Sequence, residues 1–477
     1  MDLRALIRVY DRTGLVELAR RLSDFGFTLY ADAASRTDLT EAGLTTETPD
    51  SSYESSGYGV VVCNLRPFKE ALSHGEVVHA EALGAIDTAG SALLRSAAIR
   101  YRDTIVLTDP ADYDAVMNQI EQSGDIPLQW RFRLAGQAFE YTSHDEALIR
   151  GYFRSKMPGG AFPQTLTLTY EKVQDLRYGE NPHQTGAFYR EVGAAVGTVA
   201  DVVQLHGDAL SYNNLHDANR AVELLKEFDQ PAAVVVKDAN PCGVALAADL
   251  KTAYLHAFEA DPVSIYGGVV ALSRTVEADL AGEIVKRYLD IILAPAFTDE
   301  ALEVLRTKKR VRILQLANIT QLLPVGTLDA RRVGGGLLVQ QRDDRTGDAL
   351  RMQVVTRTQP EPEDREDMLF AMKVAKHVRS NAMVVVRGLR TIGIGAGQPN
   401  RVNATRIAVM SGGEGCRGAV MASDAFLTFH DTIDAAAAAG IRTIIQPGGS
   451  KRDQEIIDAC DRHGIAMVFT GIRHLLH

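Results

Sequence analysis

Little in this sequence points to a nucleic-acid partner, a membrane or an oxidising compartment. Its four cysteines, Cys63, Cys242, Cys416 and Cys460, are too few and too scattered for a disulfide framework or a CxxC metal knuckle. Cations are in deficit: 51 Lys and Arg stand against 61 Asp and Glu, a formal charge of −10. That excludes a chain-wide footprint for duplex nucleic acid but leaves room for a local cationic pocket that takes a small anion. No run approaches the roughly 18 apolar residues of a membrane span. The opening MDLRALIRVYDRTG lacks the apolar core of a secretory signal, so the expected location is cytoplasmic. What is present is ordinary for a globular chain. A hydrophobic share of 46% with 23% charged residues excludes disorder as the main state. The length of 477 residues predicts roughly two to four domains.

Short apolar runs alternate with helical patterns. Ala5–Val9, Phe27–Tyr30, Val60–Asn64 and Thr104–Asp109 read as strands, and Leu15–Phe25 as a helix, which argues an α/β domain with a mostly parallel sheet. Thr45–Tyr58 reads as a loop, and Met157–Pro163 as a breaker-rich linker. Gly334-Gly335-Gly336 and the charged stretch Pro360–Asp367 indicate a division near residue 350. Beyond it Ala382–Val386, Thr391–Ile394, Thr443–Gln446 and Ala466–Phe469 read as strands. There is no short tandem repeat.

Three polar segments interrupt this pattern where chemistry would gather. LRYGENPHQ (Leu176–Gln184) sets Arg177, a planar fork for phosphate, beside Tyr178, a stacking face. Lys237 and Asp238 follow the buried strand Ala232–Val236, and Asn-Pro-Cys-Gly (Asn240–Gly243) reads as a turn that presents backbone amides. Asn381 and Arg401 bracket a strand-turn-strand signal whose Gly395-Ala396-Gly397 is too short for a dinucleotide fingerprint. His79-Ala80-Glu81 with Pro241-Cys242 makes half of a zinc-deaminase signature. Ala245 stands where the second cysteine is required, so no metal is expected.

Taken in order, RYGENPHQ, QLHGDALSYNNLHDA, NPCG, DPVSIYGG, VGGGLLVQ, GIGAGQPNRV, SDAF and QPGGS…GIAMVFTGIRH resemble one family. It is the bifunctional purine-biosynthesis enzyme that combines AICAR transformylase with IMP cyclohydrolase. The resemblance covers essentially the whole chain. It implies an α/β fold: a methylglyoxal-synthase-like domain over 1–155, a linker over 156–170, and a transformylase of two cytidine-deaminase-like subdomains, 171–350 and 351–477. It also implies a homodimer with sites at the interface, and 10-formyltetrahydrofolate as formyl donor to an imidazole-carboxamide ribotide. Lys237, Asp238 and Asn381 fall on its catalytic positions. Arg177, Tyr178, Gly267, Asp290, Arg401, Phe426 and Arg473 fall on ribotide-binding ones, and Asp431 lies near the folate.

The chain departs from that family in two places. The family's Lys-His pair, whose imidazole moves a proton, is Lys237-Asp238 here. An imidazole titrates near neutrality, whereas an ordinary carboxylate does so near 3.9. In the N-terminal domain the phosphate turn Ser-Thr-Gly-Gly-Thr becomes Tyr30-Ala31-Asp32-Ala33-Ala34, and the Lys-Thr-Leu-His-Pro-Lys segment is missing. The tyrosine of Asn-Leu-Tyr-Pro-Phe is Arg66, and a later lysine is Ile99; Asp87 is kept. The expectation is a formyl transferase acting on AICAR or a related five-membered-ring ribotide, without cyclohydrolase activity. Two alternatives stand beside it: a folate-independent reaction on an imidazole ribotide, and a ribotide-binding paralogue without catalysis.

Overall fold

β-Branched and aliphatic runs form the strands. Strands buried on both faces require helices on both sides of the sheet. A computed structural model describes residues 2–49, 57–72, 79–157, 162–193, 195–345 and 351–477. The chain divides into two compact units, 1–171 with 191–193, and 172–190 with 194–477.

In the first unit four parallel strands lie in the order Thr28–Ala31, Arg4–Arg8, Val60–Cys63, Ile105–Leu107. The helix Leu15–Phe25 buries Leu15, Leu18, Ala19 and Leu22, one stripe at helical spacing, and ends at Gly26 in the left-handed region. Its apolar stripe shares one core with the strands and with the helices Thr88–Ile99, Tyr113–Ser123 and Leu128–Lys156.

The second unit is built twice on one plan. One sheet runs Val203–His206, Arg312–Gln315, Leu289–Ala294, Gly268–Leu272, Ala232–Lys237, Asn240–Leu246. The other runs Gln353–Val354, Ala466–Phe469, Thr443–Gln446, Val420–Ser423, Met383–Val386, Thr391–Gly395. Strand for strand the senses agree, three parallel strands flanked by antiparallel ones. Helices recur at the same points, Tyr212–Leu225 matching Asp364–Lys376 and Leu250–Ala260 matching Arg401–Gly412. Gly243 and Gly393 occupy equivalent positions: a Cβ on either would lie 2.0 Å from a helix carbonyl, of Ala257 or Ala408. The two edge strands meet where the Val244 amide donates to Thr391 Oγ1 (3.0 Å) and the Leu246 amide to the Leu389 carbonyl (2.9 Å). Tyr212–Leu225 and Asp364–Lys376 share a single core with both sheets.

The α/β class is thus as the resemblance implies, and most strand readings shift by a residue or two at their ends. Three readings are refined. Gly334-Gly335-Gly336 closes the hairpin of Leu328–Val333 with Gly336–Gln341, Gly335 taking the left-handed φ of 77°, while the last strand of one sheet, Arg312–Gln315, and the first of the other, Gln353–Val354, fall on either side of residue 350. The charged stretch Pro360–Asp367 leads into a helix, where Asp364 is buried and accepts from Thr443 Oγ1 at 2.6 Å. Asn-Pro-Cys-Gly is not a turn, as shown below. The middles of the expected loop Thr45–Tyr58 and linker Met157–Pro163 lie outside the described residues. Among those described, no helix is long and apolar enough to cross a membrane.

Candidate functional site

The strand Ala232–Lys237 is buried until Lys237, where it leaves the sheet. Lys237 pairs with Asn240 across a two-residue reversal, Asp238 at φ 49° and Ala239 at φ 64°. Positive φ at both central residues is the hairpin geometry that matches strand twist. Asp tolerates it, whereas Ala pays a steric cost. The Ala239 amide is held by the Asp217 carboxylate at 2.8 Å. Asn240–Gly243 therefore begins a strand, Asn240–Leu246, and Pro241 is accommodated because this edge strand carries a register shift there. Asp238 itself is exposed, and its carboxylate has no hydrogen-bond partner among the described residues.

Lys237 Nζ donates to the Gly267 carbonyl at 3.1 Å. Gly267 has φ 72°, which favours glycine, and a Cβ there would crowd that Nζ at 3.2 Å. The Gly267 amide donates to the Tyr288 carbonyl at 2.9 Å. Asp290 hydrogen-bonds the Tyr288 hydroxyl and raises its pKa, with burial adding to the shift. The Tyr288 ring lies 4.9 Å from that of Tyr266. The structure thus groups Lys237, Gly267 and Asp290.

A second group forms around Arg401, the first residue of its helix. Its guanidinium donates to Ser423 Oγ at 3.2 Å, to Asn381 Oδ1, and to the fully buried Asp424 at 2.9 Å. Asn381 Nδ2 donates to the Gln398 carbonyl at 2.6 Å, so both ends of the amide are fixed and one N–H is unspent. The Arg401 charge is matched by Asp424, and what it holds is Asn381.

The seam between the edge strands brings the two groups near each other. The Arg379 amide donates to Asn240 Oδ1 at 3.2 Å, the Gly397 amide to the Arg379 carbonyl at 2.7 Å, and the Asn381 amide to the Gln398 carbonyl at 3.1 Å. A cavity of about 250 Å³ opens here, with Lys237, Asp238, Asp261, Ser264 and Ala396 among its walls. Arg177 lies over the Tyr178 ring at 5.8 Å. Arg177 and Arg473 are exposed and Phe426 is half-buried. Asp431 opens the exposed first turn of Asp431–Ala438, its carboxylate 3.4 Å from His430 Nδ1. No contact among the described residues joins these four to Lys237. Sequence reading passed over Asp217, Arg379 and Gln398, which hold the seam. Each acts through a backbone group distant in sequence, and no local signal marks such a contact.

A cavity of about 1170 Å³ lies in the first unit, with Asn64, Leu65, Pro67 and Tyr141 among its walls. Two of its polar groups are committed to backbone amides. Asn64 Oδ1 accepts from the amides of Tyr10 (2.6 Å) and Asp11 (2.8 Å), and the Tyr141 hydroxyl accepts from that of Leu65 (3.0 Å). Asp32 caps the helix Ala33–Glu41, accepting from the Ser35 amide at 2.8 Å. Asp87 is held by Arg8 through two bonds of 2.7 Å and caps Thr88–Ile99 through the Gly90 amide. Burial pushes the Asp87 carboxyl up, but these partners outweigh it and hold it below the usual carboxylate range.

A family profile described as the AICARFT/IMPCHase bienzyme matches residues 97–411. "Bifunctional purine biosynthesis protein PurH" of Acetivibrio thermocellus is 46% identical over 511 residues, covering 99% of each chain. Its namesakes from Ruminiclostridium cellulolyticum and Oceanobacillus iheyensis are 45% and 41% identical, over 99% and 100% of both chains. A solved chain described as the crystal structure of ForH is 23% identical and covers 32% of this chain and 98% of its own, with a TM-score of 0.27, too slight a likeness to bear on the site.

Proposed function

Because the chain belongs to the AICARFT/IMPCHase bienzyme family, we propose that its larger unit moves a formyl group from 10-formyltetrahydrofolate to the amine of AICAR or a related five-membered-ring ribotide. We propose also that its smaller unit carries no cyclohydrolase activity. The family's transformylase takes that folate as its donor. The observation that carries the transferase reading is the seam, where Asn240, which closes the Lys237 turn, accepts from the Arg379 amide two residues before the fixed amide of Asn381. The accepting amine is a poor nucleophile, its lone pair delocalised into the ring, so the site's work is to position both reactants and remove a proton. Lys237 supplies positive charge near the forming oxyanion. Asn381 offers its unspent N–H to a carbonyl, and Asp238 shares a cavity wall with Lys237. Arg177 and Arg473, exposed and unpaired with carboxylates among the described residues, suit the phosphate. The lack of contact between these arginines and Lys237 favours a site completed by a second copy of the chain. Exposed Val263 and Tyr266 beside Gly267 fit a covered surface.

Loss of cyclohydrolase activity is supported by Asp32. Its carboxylate occupies the helix N-terminus where the family's turn would receive a phosphate. Arg66 replaces the tyrosine, and Asn64 and Asp87 are committed to structural partners. The 511-residue alignment exceeds this chain's 477 residues, so the relative carries positions that this chain lacks. The test incubates purified protein with AICAR and 10-formyltetrahydrofolate, and separately with the formylated ribotide. The expected outcome is formyl transfer in the first and no IMP in the second. Ribotide turnover without folate, or binding without turnover, would replace the transferase reading; IMP above background would restore the cyclohydrolase.

A further inference from the structure

His216 lies on the helix Tyr212–Leu225 and plays no part in the contacts described so far. The next residue, Asp217, holds the Ala239 amide at 2.8 Å and so fixes the reversal that carries Asp238. Charges from three elements surround the imidazole: Asp217 and Arg220 on its own helix, Glu180 on the loop of Arg177 and Tyr178, and Arg379 at the seam. That loop is tied to the same helix, since Asn213 Nδ2 donates to the Glu180 carbonyl at 3.4 Å. Arg379 in turn donates its amide to Asn240 Oδ1, two residues past Asp238. The ring therefore sits among the segments that carry the proposed ribotide contacts and the Lys237 turn. It is half-buried, and neither nitrogen has a hydrogen-bond partner among the described residues.

We propose that His216, rather than Asp238, accepts the proton that the attacking amine loses during formyl transfer. The assignment rests on the transferase reading above. The amine nitrogen bonds to the formyl carbon and the carbon–N10 bond of the folate breaks. The amine proton passes to the imidazole and leaves it for N10, so charge and atoms balance. Burial, reinforced by Arg220, holds the imidazole below its ordinary range, which keeps it unprotonated and receptive at neutral pH. Asp238 is left the simpler task of occupying a left-handed turn position that suits Asp.

The test measures the pH dependence of kcat/KM for transfer to AICAR in the native chain, His216→Gln, Asp238→Asn and the double variant His216→Gln with Asp238→His. Calorimetric AICAR affinity is measured for each. The expected result is a loss of about 10²–10⁴-fold in kcat for His216→Gln with AICAR affinity unchanged. The native profile should fall on its acid side with an apparent pKa below about 6.5, and that limb should vanish in the variant. Asp238→Asn should lose less activity than His216→Gln, and Asp238→His in the double variant should restore part of the lost rate. Native transfer unaffected by His216→Gln, or lost together with AICAR affinity, overturns the assignment alone. Absence of transfer by the native chain overturns it together with the reading on which it rests.

Discussion

Asp145 shows how one residue can set a local cost. It is buried on the helix Leu128–Lys156, and its carboxyl is pushed up to about 6, first by burial and then by the charges of Glu146 and Asp87. The folded state thus holds a proton that the unfolded chain releases above pH ~4. Stability present at lower pH is lost as pH rises from about 4 through 6. At about 1.4 kcal/mol per unit, the penalty at neutrality is on the order of 3 kcal/mol. Asp145→Asn should raise the unfolding free energy of the first unit by about that amount near pH 7.5 and leave it unchanged near pH 3.5. Urea titrations at both values check this, and an equal effect at the two would refute it.

At the scale of elements, the seam depends on how closely its helices approach the edge strands. A Cβ on Gly395 would lie 1.9 Å from the Ala404 carbonyl, inside the helix that begins at Arg401. Gly395→Ala must push that helix outward, a cost of roughly 1–3 kcal/mol or more. Because Arg401 holds Asn381, the displacement should also loosen the Asn381 amide. Transfer rate should therefore fall by more than the loss of folded protein explains, measured as kcat per folded molecule. A variant that is less stable yet turns over normally would show that Asn381 does not rely on this helix.

At the scale of the whole molecule, the duplicated halves of the larger unit are locked through Glu227. Its carbonyl accepts from Lys373 at 2.6 Å, and its carboxylate binds Lys376 and His377, each at 2.9 Å. Burial alone would push this carboxyl up, but the hydrogen bonds from His377 and Lys376 outweigh it and hold it at about 2. A lowered folded pKa contributes stability that is present above the unfolded value near 4.5 and is lost as pH falls toward 2. Glu227→Gln leaves Lys376 buried without its partner and should cost about 3–5 kcal/mol at neutral pH, read from denaturant midpoints of the larger unit. The proposed dimer allows a complementary test. Mixing inactive Lys237→Ala and Arg473→Ala chains after unfolding and refolding should restore about a quarter of native activity if each site draws on two chains. No recovery would place both residues in one chain's site.

The sequence by itself determined the α/β class and many of its elements. Leu15–Phe25, Thr443–Gln446 and Ala466–Phe469 match to the residue, because apolar periodicity and terminal glycines act over a few positions. The motifs that place the chain in its family were equally legible, since they are runs of neighbouring residues. Tertiary structure decided the rest. The reversal at Asp238–Ala239 requires the register of one strand against the next and a carboxylate from 22 residues earlier. Arg401 is an anchor for Asn381 only because Asp424 is buried against it. The duplication of the two sheets keeps the apolar pattern and the close glycines but not the residue identities, so strand order alone reveals it. Partners that meet only on folding leave no local trace, because hydrogen bonds and burial depend on proximity in space, whereas periodicity and turn chemistry depend on proximity along the chain.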